Sequence, residues 1–476
     1  MWQFTLCSLF AVLSFLSISN AQEKPNIIVF IADDVGMELG CYGYEAAETP
    51  NLDKLAADGL KFNNAFLTTS SCSPSRTSLL SGHFAHTIGT EDLHTGINDT
   101  TKLLPFYLRK EGYHTGFMLK GHFGDKGSGQ FNWSDNGFWP DWARDGTWND
   151  KAVGNFESFV KEAGKKPFFM WIGFVDAHRP FYEDEKIEGN KAPRVIDPKD
   201  VDVPPYLVDD AATRQDLAYY YDEVTRMDDQ IGKMIGVLRV RKKLNNTLVI
   251  FIADNGKPFP RAKGTVYDSG IKTPLLMYWK GRIMPGTVYD SLISAINLAP
   301  TLLDVAGHKG KTNMYGKSMR SIFEDQYTPG DQYIFAERNW HGTDEHIRAI
   351  RSVDYLLIMN SYIHLPHGTP SDLSTSPSWY SLLEGKKEGT LTEAQEWLFK
   401  VPRVKIELYN VKNDPYQLNN LSGNANYLEI SNQMTKALVD WMIKTGDHPS
   451  DKRQKVDIVD RVSGFPVKGD RKFFID

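Results

Sequence analysis

Two separate stretches of the chain carry nearly the same sequence, and they constrain the fold more than any other feature. Asn26 to Asp33 reads Asn-Ile-Ile-Val-Phe-Ile-Ala-Asp, and Thr247 to Asp254 reads Thr-Leu-Val-Ile-Phe-Ile-Ala-Asp. A continuous, β-branched apolar run of this length predicts a strand that is buried on both faces, as in a parallel sheet covered by helices. The runs lead into Asp33-Asp34 and Asp254-Asn255. If both strands are central and parallel, these polar pairs meet at the carboxyl edge of the sheet, where α/β proteins place their ligands.

Chain length and the order of the predicted elements indicate two domains. At 476 residues, the chain is too long for a single hydrophobic core. Further strands are predicted at Gly112 to Leu119 and at Pro167 to Val175, and a long amphipathic helix is predicted at Asp209 to Val240. Strands that alternate with helices are typical of an α/β fold, here a large, mixed, mostly parallel sheet flanked by helices.

This alternation ends near residue 345, after a predicted strand at Gln332 to Glu337. Two strands within Ile347 to Asn360, a strand at Lys405 to Val411 and a helix at Tyr427 to Thr445 then follow in succession. Successive strands before a helix predict a smaller α+β domain with an antiparallel sheet. We therefore predict a catalytic domain over residues 22–345 and a C-terminal subdomain with a tail over residues 346–476.

The polar residues at the ends of the two similar strands suggest a metal site. Asp33, Asp34, Asp254 and Asn255 offer oxygen ligands, with no His or Cys among them. Hard oxygen donors favour calcium or magnesium over zinc. A single Asp after a strand commonly caps the following turn, but two such strand ends make capping alone the weaker interpretation.

One of the three cysteines lies in Ser71 to Gly82, which reads Ser-Cys-Ser-Pro-Ser-Arg-Thr-Ser-Leu-Leu-Ser-Gly. Pro74 suits the first position of a helix and Ser73 suits its N-cap, which predicts that Cys72 lies just outside a helix N-terminus. The unpaired N–H groups and the dipole there, with Arg76 one turn into the helix, favour a small oxyanion beside the cysteine. A buried structural cysteine is the alternative interpretation.

Cys72, Pro74 and Arg76 form a Cys-x-Pro-x-Arg pattern that is followed by a small-residue and leucine run ending in Gly82. This pattern resembles the signature of the type I, formylglycine-dependent sulfatases. Glu407 to Val411 resembles the C-terminal signature of the same family, so the resemblance covers about residues 24–445. It implies an alkaline-phosphatase-like fold and a sulfuric ester hydrolase. It also implies that a formylglycine-generating or sulfatase-maturing enzyme oxidises Cys72 on the unfolded chain, and that the hydrated aldehyde is the nucleophile.

The resemblance further implies roles for individual residues. One calcium ion would be held by the modified Cys72 together with Asp33, Asp34, Asp254 and Asn255. Lys120 would bind the hydrate or a sulfate oxygen, Lys263 would bind sulfate, and Arg76 would add positive charge. His122 would be the base that eliminates sulfate. His178 matches the sulfate-binding histidine of the family, and we expect it to be the acid that protonates the leaving group. His341 and Arg179 are predicted to contact the substrate.

One branch of the family gives a closer match. The runs Cys72 to Arg76, His178-Arg179 and Asp254 to Gly256 resemble the sulfamidase-like sulfatases, which include enzymes that cleave N-sulfate from glucosamine. That N-sulfate enzyme has Arg where this chain has Lys263. We therefore favour an O-sulfate ester of a sugar, with N-sulfoglucosamine as the alternative.

The N-terminus and the overall charge bear on location and partners. Leu9 to Ile18 is an apolar run followed by Ser19-Asn20-Ala21, which predicts a signal peptide over residues 1–21 and a periplasmic or secreted protein. No second apolar stretch is long enough to predict a membrane span. With 54 basic and 60 acidic residues, the net charge of −6 argues against nucleic acid as a partner. Export favours a sulfated oligo- or polysaccharide as the substrate.

Two other functions stay open. The first is a phosphatase or phosphonate-ester hydrolase of the same superfamily. Alkaline phosphatase, however, needs a Ser or Thr nucleophile and two zinc ions with several His ligands, which the acidic pairs do not offer. The second is a non-catalytic protein that binds sulfated glycans and in which Cys72 stays a thiol. The mass of the intact chain distinguishes a thiol from an aldehyde.

Overall fold

A computed structural model of the chain describes residues 23–135, 148–181, 196–448, 453–461, 463–465 and 467. The predicted signal peptide over residues 1–21 lies outside these ranges.

The described residues form strands and helices with the following bounds. The strands are β1 Asn26–Ala32, β2 Leu60–Phe62, β3 Ala65–Phe66, β4 His114–Leu119, β5 Trp133–Ser134, β6 Phe168–Gly173, β7 Thr247–Ala253, β8 Leu275–Tyr278, β9 Thr287–Tyr289, β10 Ile293–Ser294, β11 Ile334–Arg338, β12 Ile347–Arg351, β13 Tyr355–Asn360 and β14 Ile406–Asn410. The α-helices are α1 Pro50–Ala57, α2 Cys72–Ser81, α3 Leu104–Lys110, α4 Gly124–Ser128, α5 Trp148–Ala163, α6 Ala211–Val240, α7 Asp268–Ile271, α8 Leu298–Val305, α9 Pro377–Glu388, α10 Glu393–Glu396 and α11 Leu428–Thr445.

The two similar strands are neighbours in the large sheet, whose strand order is β5-β4-β6-β1-β7-β8-β2-β9. The strands β5, β4, β6, β1 and β7 are parallel to one another, whereas β8 is antiparallel to both of its neighbours. β1 and β7 pair from Asn26 with Thr247 to Ala32 with Ala253. The predicted fold class, a mixed and mostly parallel sheet flanked by helices, is confirmed.

Helices cover both faces of this sheet. Along β1, Ile28 and Phe30 pack in the same core as residues of α5 and α6, while Ile27, Val29 and Ile31 pack in the core that includes residues of α2, α3 and α8. Successive side chains of a strand point to opposite faces, so both faces of β1 are buried. The continuous apolar run in the sequence is the consequence of this double coverage.

The smaller sheet is antiparallel throughout, in the order β11-β12-β13-β14. One face packs on Val266, Tyr267 and Ile271 of the larger domain, and the other packs on α11. The strand that we expected at Gln332 to Glu337, before the change of pattern, is β11 and pairs with β12. This strand thus joins the smaller sheet although it precedes residue 345, because the local apolar pattern does not specify which sheet a strand joins; the domain boundary itself stays a prediction.

None of the helices in the described ranges combines the length and the apolar character that crossing a bilayer requires.

Candidate active site

The register between β1 and β7 brings the predicted metal ligands together. Both strands end at an alanine, so Asp33 and Asp254 follow the same position on adjacent parallel strands. The backbone N–H of Asp34 donates to the Asp254 carboxylate at 3.2 Å, and the Asn255 side-chain amide donates to the Asp34 carboxylate at 2.6 Å. All four side chains are fully buried. The predicted convergence of Asp33, Asp34, Asp254 and Asn255 is therefore present.

The helix α2 places Cys72 at the same edge of the large sheet. The helix begins at Cys72 itself, with Ser71 as the N-cap residue and Pro74 at the third helical position. Our prediction that Cys72 lies outside the helix is wrong, because Pro is tolerated throughout a first turn whose N–H groups have no helical partner. Cys72 is 2% exposed, and its Sγ lies 3.7 Å from a carboxylate oxygen of Asp33.

Three buried cations pair with the three carboxylates at this edge. Arg76 donates from Nε to Asp254 at 2.7 Å, and Lys263 donates to Asp34 at 2.7 Å. Lys120, directly after β4, donates to Asp33. We call the eight residues that meet here the active-site cluster: Asp33, Asp34, Cys72, Arg76, Lys120, Asp254, Asn255 and Lys263.

A glycine makes room for this arrangement. The Arg76 guanidinium donates from Nη1 to the backbone carbonyl of Lys120 at 2.6 Å, directly against Gly173 at the end of β6. A Cβ atom at residue 173 would collide with both groups. A side chain at this position would therefore displace either the arginine or the backbone that carries the lysine.

His178 and His341 approach the cluster from a second direction, and Asp372 connects them. Asp372 accepts from Lys263 at 2.5 Å, and its carboxylate oxygens lie 3.7 Å from Nε2 of His178 and 3.8 Å from Nε2 of His341. His341 also contacts Ser71, with 3.1 Å between its Nδ1 and the serine Oγ. Asp372 was not predicted from the sequence. It lies in a loop of Ser, Thr and Pro residues, where a lone Asp is typical of a turn.

His122 is part of a histidine pair at the end of β4. Its Nε2 lies 2.8 Å from Nδ1 of His94, and the backbone N–H of His94 donates to the Ser73 hydroxyl at 2.8 Å. Burial and the nearby charge of Lys120 hold the pKa of His122 well below its usual range, so this imidazole is neutral at pH 7.

Arg179 is engaged elsewhere. Its guanidinium forms a two-bond ion pair with Asp216, at 2.7 and 2.8 Å, and Nε donates to the carbonyl of Pro258 at 2.9 Å. The rings of Phe181 and Phe259 lie 4.3 and 4.7 Å from the guanidinium carbon. Each nitrogen of the Arg179 guanidinium thus donates one hydrogen bond within the protein, and the predicted contact with the substrate stays a prediction.

Burial sets the pKa values in the cluster, and the neighbouring charges modify them. For Asp33, burial raises the pKa, but the charges of Lys120 and its neighbours outweigh this and lower it well below its usual range. For Asp34, burial and the nearby carboxylates raise the pKa to about 7 despite Lys263. Burial also raises the pKa of the Cys72 thiol well above its usual range. The cluster thus brings carboxylates close enough to oppose one another's ionisation.

The charges of the cluster and Asp372 fit a divalent cation. Four carboxylates face three cationic side chains, which leaves one negative charge among these residues. Oxygens of Asp33 and Asp254 and the Sγ of Cys72 lie within 4.8 Å of one another, and the buried side-chain oxygen of Asn255 accepts no hydrogen bond from the described residues. A divalent ion would make the total charge positive, which suits an anionic ester.

A second group, formed by Asp34, His178 and Asp372, also has ligand atoms within 4.8 Å of one another. Lys263 donates to both carboxylates of this group. Its ammonium therefore supplies the positive charge that a second metal would bring, which argues against a two-zinc phosphatase centre.

Residues 25–308 match the Sulfatase family, and residues 261–393 match the family described as N-sulphoglucosamine sulphohydrolase, C-terminal. The chain belongs to the sulfatase family. Human N-sulphoglucosamine sulphohydrolase is 30% identical to this sulfatase over 484 aligned residues, covering 92% of this chain and 93% of the relative. An ulvan-active sulfatase of Formosa agariphila is 28% identical, covering 89% and 76%.

Solved structures support the fold. A structure described as a complex with its substrate D-glucosamine-2-N,6-O-disulfate superposes with a TM-score of 0.69 at 18% identity, covering 91% of this chain and 100% of the other. The phosphonate monoester hydrolase of Agrobacterium radiobacter superposes with a TM-score of 0.68 at 16% identity, covering 88% and 96%. The alkaline-phosphatase-like fold and the sulfuric ester hydrolase that the sequence predicted are confirmed, and the closer resemblance to the sulfamidase-like branch agrees with the human relative.

Proposed function

We propose that this sulfatase is exported and that it hydrolyses a sulfate ester on a sulfated oligo- or polysaccharide. Two relatives whose names specify carbohydrate substrates support the sugar, namely the sulphoglucosamine sulphohydrolase and the ulvan-active sulfatase. The observation that most supports this chemistry is the position of Cys72, whose Sγ lies within 4.8 Å of oxygens of two buried carboxylates. The charge of the surrounding cluster fits a divalent cation. The apolar run before residue 22 supports export.

We propose that the nucleophile is a formylglycine hydrate made from Cys72. The raised pKa of the Cys72 thiol supports this, because the thiol stays protonated and is a weak nucleophile at neutral pH. Cys72 is 2% exposed, which favours modification of the unfolded chain by a formylglycine-generating or sulfatase-maturing enzyme. The hydrate supplies one hydroxyl that attacks sulfur and a second that permits the later release of sulfate.

A calcium ion would be held by the oxygen donors that follow β1 and β7, together with the modified Cys72. When bound, the ion would lower the pKa of the attacking hydroxyl and offset the charge that builds on the sulfuryl oxygens. The protein prepares this site by holding each carboxylate against a cation. Arg76, for example, fixes one oxygen of Asp254 and leaves the other directed toward Asp34.

Lys120 and Lys263 are the proposed sulfate-binding cations. Each ammonium is buried and already donates to a carboxylate, to Asp33 from Lys120 and to Asp34 from Lys263. An ammonium has three donors, so each lysine can keep its carboxylate and still donate to a sulfate oxygen. In this buried setting the interaction with an anion is stronger than in water.

His178 is the proposed acid for the leaving group. Its Nδ1 lies 2.5 Å from the carbonyl oxygen of Arg179, which can only accept, so Nδ1 carries a proton and Nε2 faces Asp372. Burial, reinforced by Lys263 and Lys120, lowers the pKa of His178 to about 3. A bound sulfate would raise this pKa, because it adds negative charge beside the ring. Substrate binding would thus be coupled to proton uptake on Nε2.

His122 is the proposed base that removes a proton from the hydrate and so expels sulfate. The neutral state that its lowered pKa enforces is the state that a base requires. Its contact with Nδ1 of His94 holds the ring in one orientation. We propose that Asp372 and His341 contact the sugar, because a carboxylate oxygen of Asp372 lies 3.7 Å from Nε2 of His178, the proposed acid, and another lies 3.8 Å from Nε2 of His341.

N-sulfoglucosamine is the second candidate substrate. The human relative is named for it, and it is 30% identical over nearly the whole chain. Lys263, however, stands where the N-sulfate enzyme has Arg, and Lys263 bridges Asp34 and Asp372 beside His178. A lysine presents a point charge and not a planar pair of donors. This difference at the leaving-group side favours an O-sulfate ester.

A panel of defined sugars tests both candidates. Sulfate release would be measured from glucosamine carrying only an N-sulfate, from the same sugar carrying only a 6-O-sulfate, and from sulfated oligosaccharides, with Cys72→Ala as the blank. We expect release from O-sulfated sugars and little from the N-sulfate. Release from the N-sulfate alone would establish the second candidate, and release from none of these sugars would reject a carbohydrate sulfatase.

A further inference from the structure

A second cavity with a cationic lining lies in the C-terminal part of the molecule. Its volume is about 590 Å³, and residues of β14 and of the segment that carries α10 line it. Its lining includes no member of the active-site cluster. Cavities of this volume commonly bind molecules the size of one or two sugar rings.

Arg261 lines this cavity and has N–H donors without an acceptor among the described residues. Its side chain is buried, and its guanidinium carbon lies 4.0 Å from the Tyr267 ring centre and 4.4 Å from that of Trp397. Nη2 donates to the backbone carbonyl of Gln417, whereas Nε and Nη1 donate to no group in the described part of the chain. A buried charged donor is normally paired, so these two N–H groups indicate a missing acceptor.

Guanidinium groups near the cavity outnumber the carboxylates that pair with them. Arg403, which also lines it, shares the single carboxylate of Glu345 with Arg461, at 3.0 and 2.7 Å. The Arg403 Nε likewise has no acceptor among the described residues, and Arg338 beside this group donates to a hydroxyl and a carbonyl. Arg461 also pairs with Asp457 at 2.7 Å, so the four guanidinium groups of Arg261, Arg338, Arg403 and Arg461 are paired with two carboxylates, Glu345 and Asp457.

The ionisation of two neighbouring groups agrees with this surplus. Burial, together with Arg461 and Arg403, lowers the pKa of Arg338 to about 10. His367 lines the cavity, and burial and the same arginines hold its pKa well below the usual range. For both groups burial is the larger cause of the lowered pKa, and the neighbouring arginines add to it.

Two acidic residues, Glu407 and Glu393, also line the cavity. Glu407 is buried, but the hydroxyls of Tyr267 and Tyr409 donate to it at 2.6 Å, and so does the Asn360 amide. Its carboxylate is therefore already satisfied within the protein. Glu393 and Lys400, both exposed on the rim, have opposite charges. Among the described residues that line the cavity, the buried side-chain atoms without a hydrogen-bond partner are guanidinium nitrogens of Arg261 and Arg403.

We propose that this cavity is an accessory binding site for a sulfate group, with Arg261 and Arg403 as its donors and Lys400 at its rim. Guanidinium groups bind tetrahedral oxyanions through several charge-assisted hydrogen bonds. Sulfate on a sugar and free inorganic sulfate share this chemistry. The inference that a sugar carries this sulfate group rests on the proposed function. The inference that the cavity binds a sulfate group does not.

Calorimetric titration of the full chain carrying Cys72→Ala tests the site without turnover. The probes are inorganic sulfate, a disulfated heparin-derived disaccharide and the same disaccharide without sulfates. We expect two binding events for the sulfated disaccharide. Arg261→Gln and Lys400→Glu should each weaken one event by about tenfold or more and leave the other unchanged, since a charged hydrogen bond contributes at least this much. Lys309→Glu, an exposed lysine outside the cavity with the same change in charge, should alter neither event.

The outcomes separate this site from the proposed function. The binding event that Arg261→Gln leaves unchanged is the one assigned to the catalytic site. If the catalytic site does not bind sulfated sugars, this event will be absent, and the event that depends on Arg261 and Lys400 will remain. Inorganic sulfate binding there as tightly as the disaccharide would identify free sulfate as the ligand, and much weaker binding would identify the sugar sulfate. Lys400 is exposed, so Lys400→Glu should fold even if Arg261→Gln does not. Affinities for sulfate and disaccharide unchanged in folded Lys400→Glu would overturn the proposal.

Discussion

Arg76→Met tests whether the buried cluster is held together by its charge pairs. Arg76 is fully buried, and it donates to Asp254 at 2.7 Å and to the carbonyl of Lys120 at 2.6 Å. Methionine fills part of the space but leaves the Asp254 carboxylate without its cation. Removing one partner of a buried ion pair typically costs about 3–5 kcal/mol. We expect a loss of that size in the free energy of unfolding of the larger domain, measured by urea titration in calcium-free buffer.

A double-mutant cycle separates the pair from simple loss of packing. Arg76→Met combined with Asp254→Asn removes both charges, so the combined loss should be smaller than the sum of the single losses by about 1–3 kcal/mol. Arg109→Met, an exposed arginine on α3, is the matched control and should change the unfolding free energy by about 0.5 kcal/mol or less. A loss below about 1 kcal/mol for Arg76→Met, or strictly additive effects, would refute the reasoning.

Four further outcomes follow from the structure. Removing calcium with a chelator should lower the free energy of unfolding, and adding calcium at about 100 times its Kd should restore about 2.7 kcal/mol of it. An unfolding midpoint that does not change with calcium would argue against a bound calcium ion. Although burial raises the pKa of Glu345, the neighbouring arginines lower it from 4.5 to about 2. The ionised carboxylate should therefore add about 3 kcal/mol to the free energy of unfolding above pH 4.5, and this contribution should disappear as the pH falls toward 2. Glu345→Gln should accordingly make the free energy of unfolding depend less on pH in this acidic range. Gly173→Ala should cost about 1–3 kcal/mol, whereas Gly154→Ala, in an open helical position, should stabilise. His178→Ala should lower kcat on a sugar sulfate by about 10²–10⁴-fold and far less on an aryl sulfate, while His341→Ala should mainly raise KM for the sugar.

Much of the site could be predicted because local sequence determines it. Two apolar runs of equal length, ending at Ala32 and Ala253, pair in register, so their acidic ends had to meet. The start of α2 was misplaced because Ser71 and Ser73 are equally good caps, and only the backbone bond from Ser75 to Ser71 decides between them. The consequence for Cys72 is small, since either start leaves it at the N-terminal end of the helix.

Long-range contacts account for what could not be predicted. Asp372 reaches Lys263 from a loop more than 100 residues away, and no periodicity or strand end identifies it. The ion pair between Arg179 and Asp216 on α6 joins residues 37 positions apart, and no local pattern around Arg179 indicates it. β11 has an ordinary strand pattern, and its partner β12 lies on the far side of the domain change.

The account rests on the conversion of Cys72 to an aldehyde, and peptide mass spectrometry measures this directly. The peptide that contains Cys72 would be isolated from protein made with and without a sulfatase-maturing enzyme, and the same samples would be assayed for sulfate release. We predict that the formylglycine mass replaces the cysteine mass only with the maturing enzyme, and that sulfate release rises in proportion to the converted fraction. Full activity in a sample whose Cys72 is entirely unmodified thiol would contradict the account.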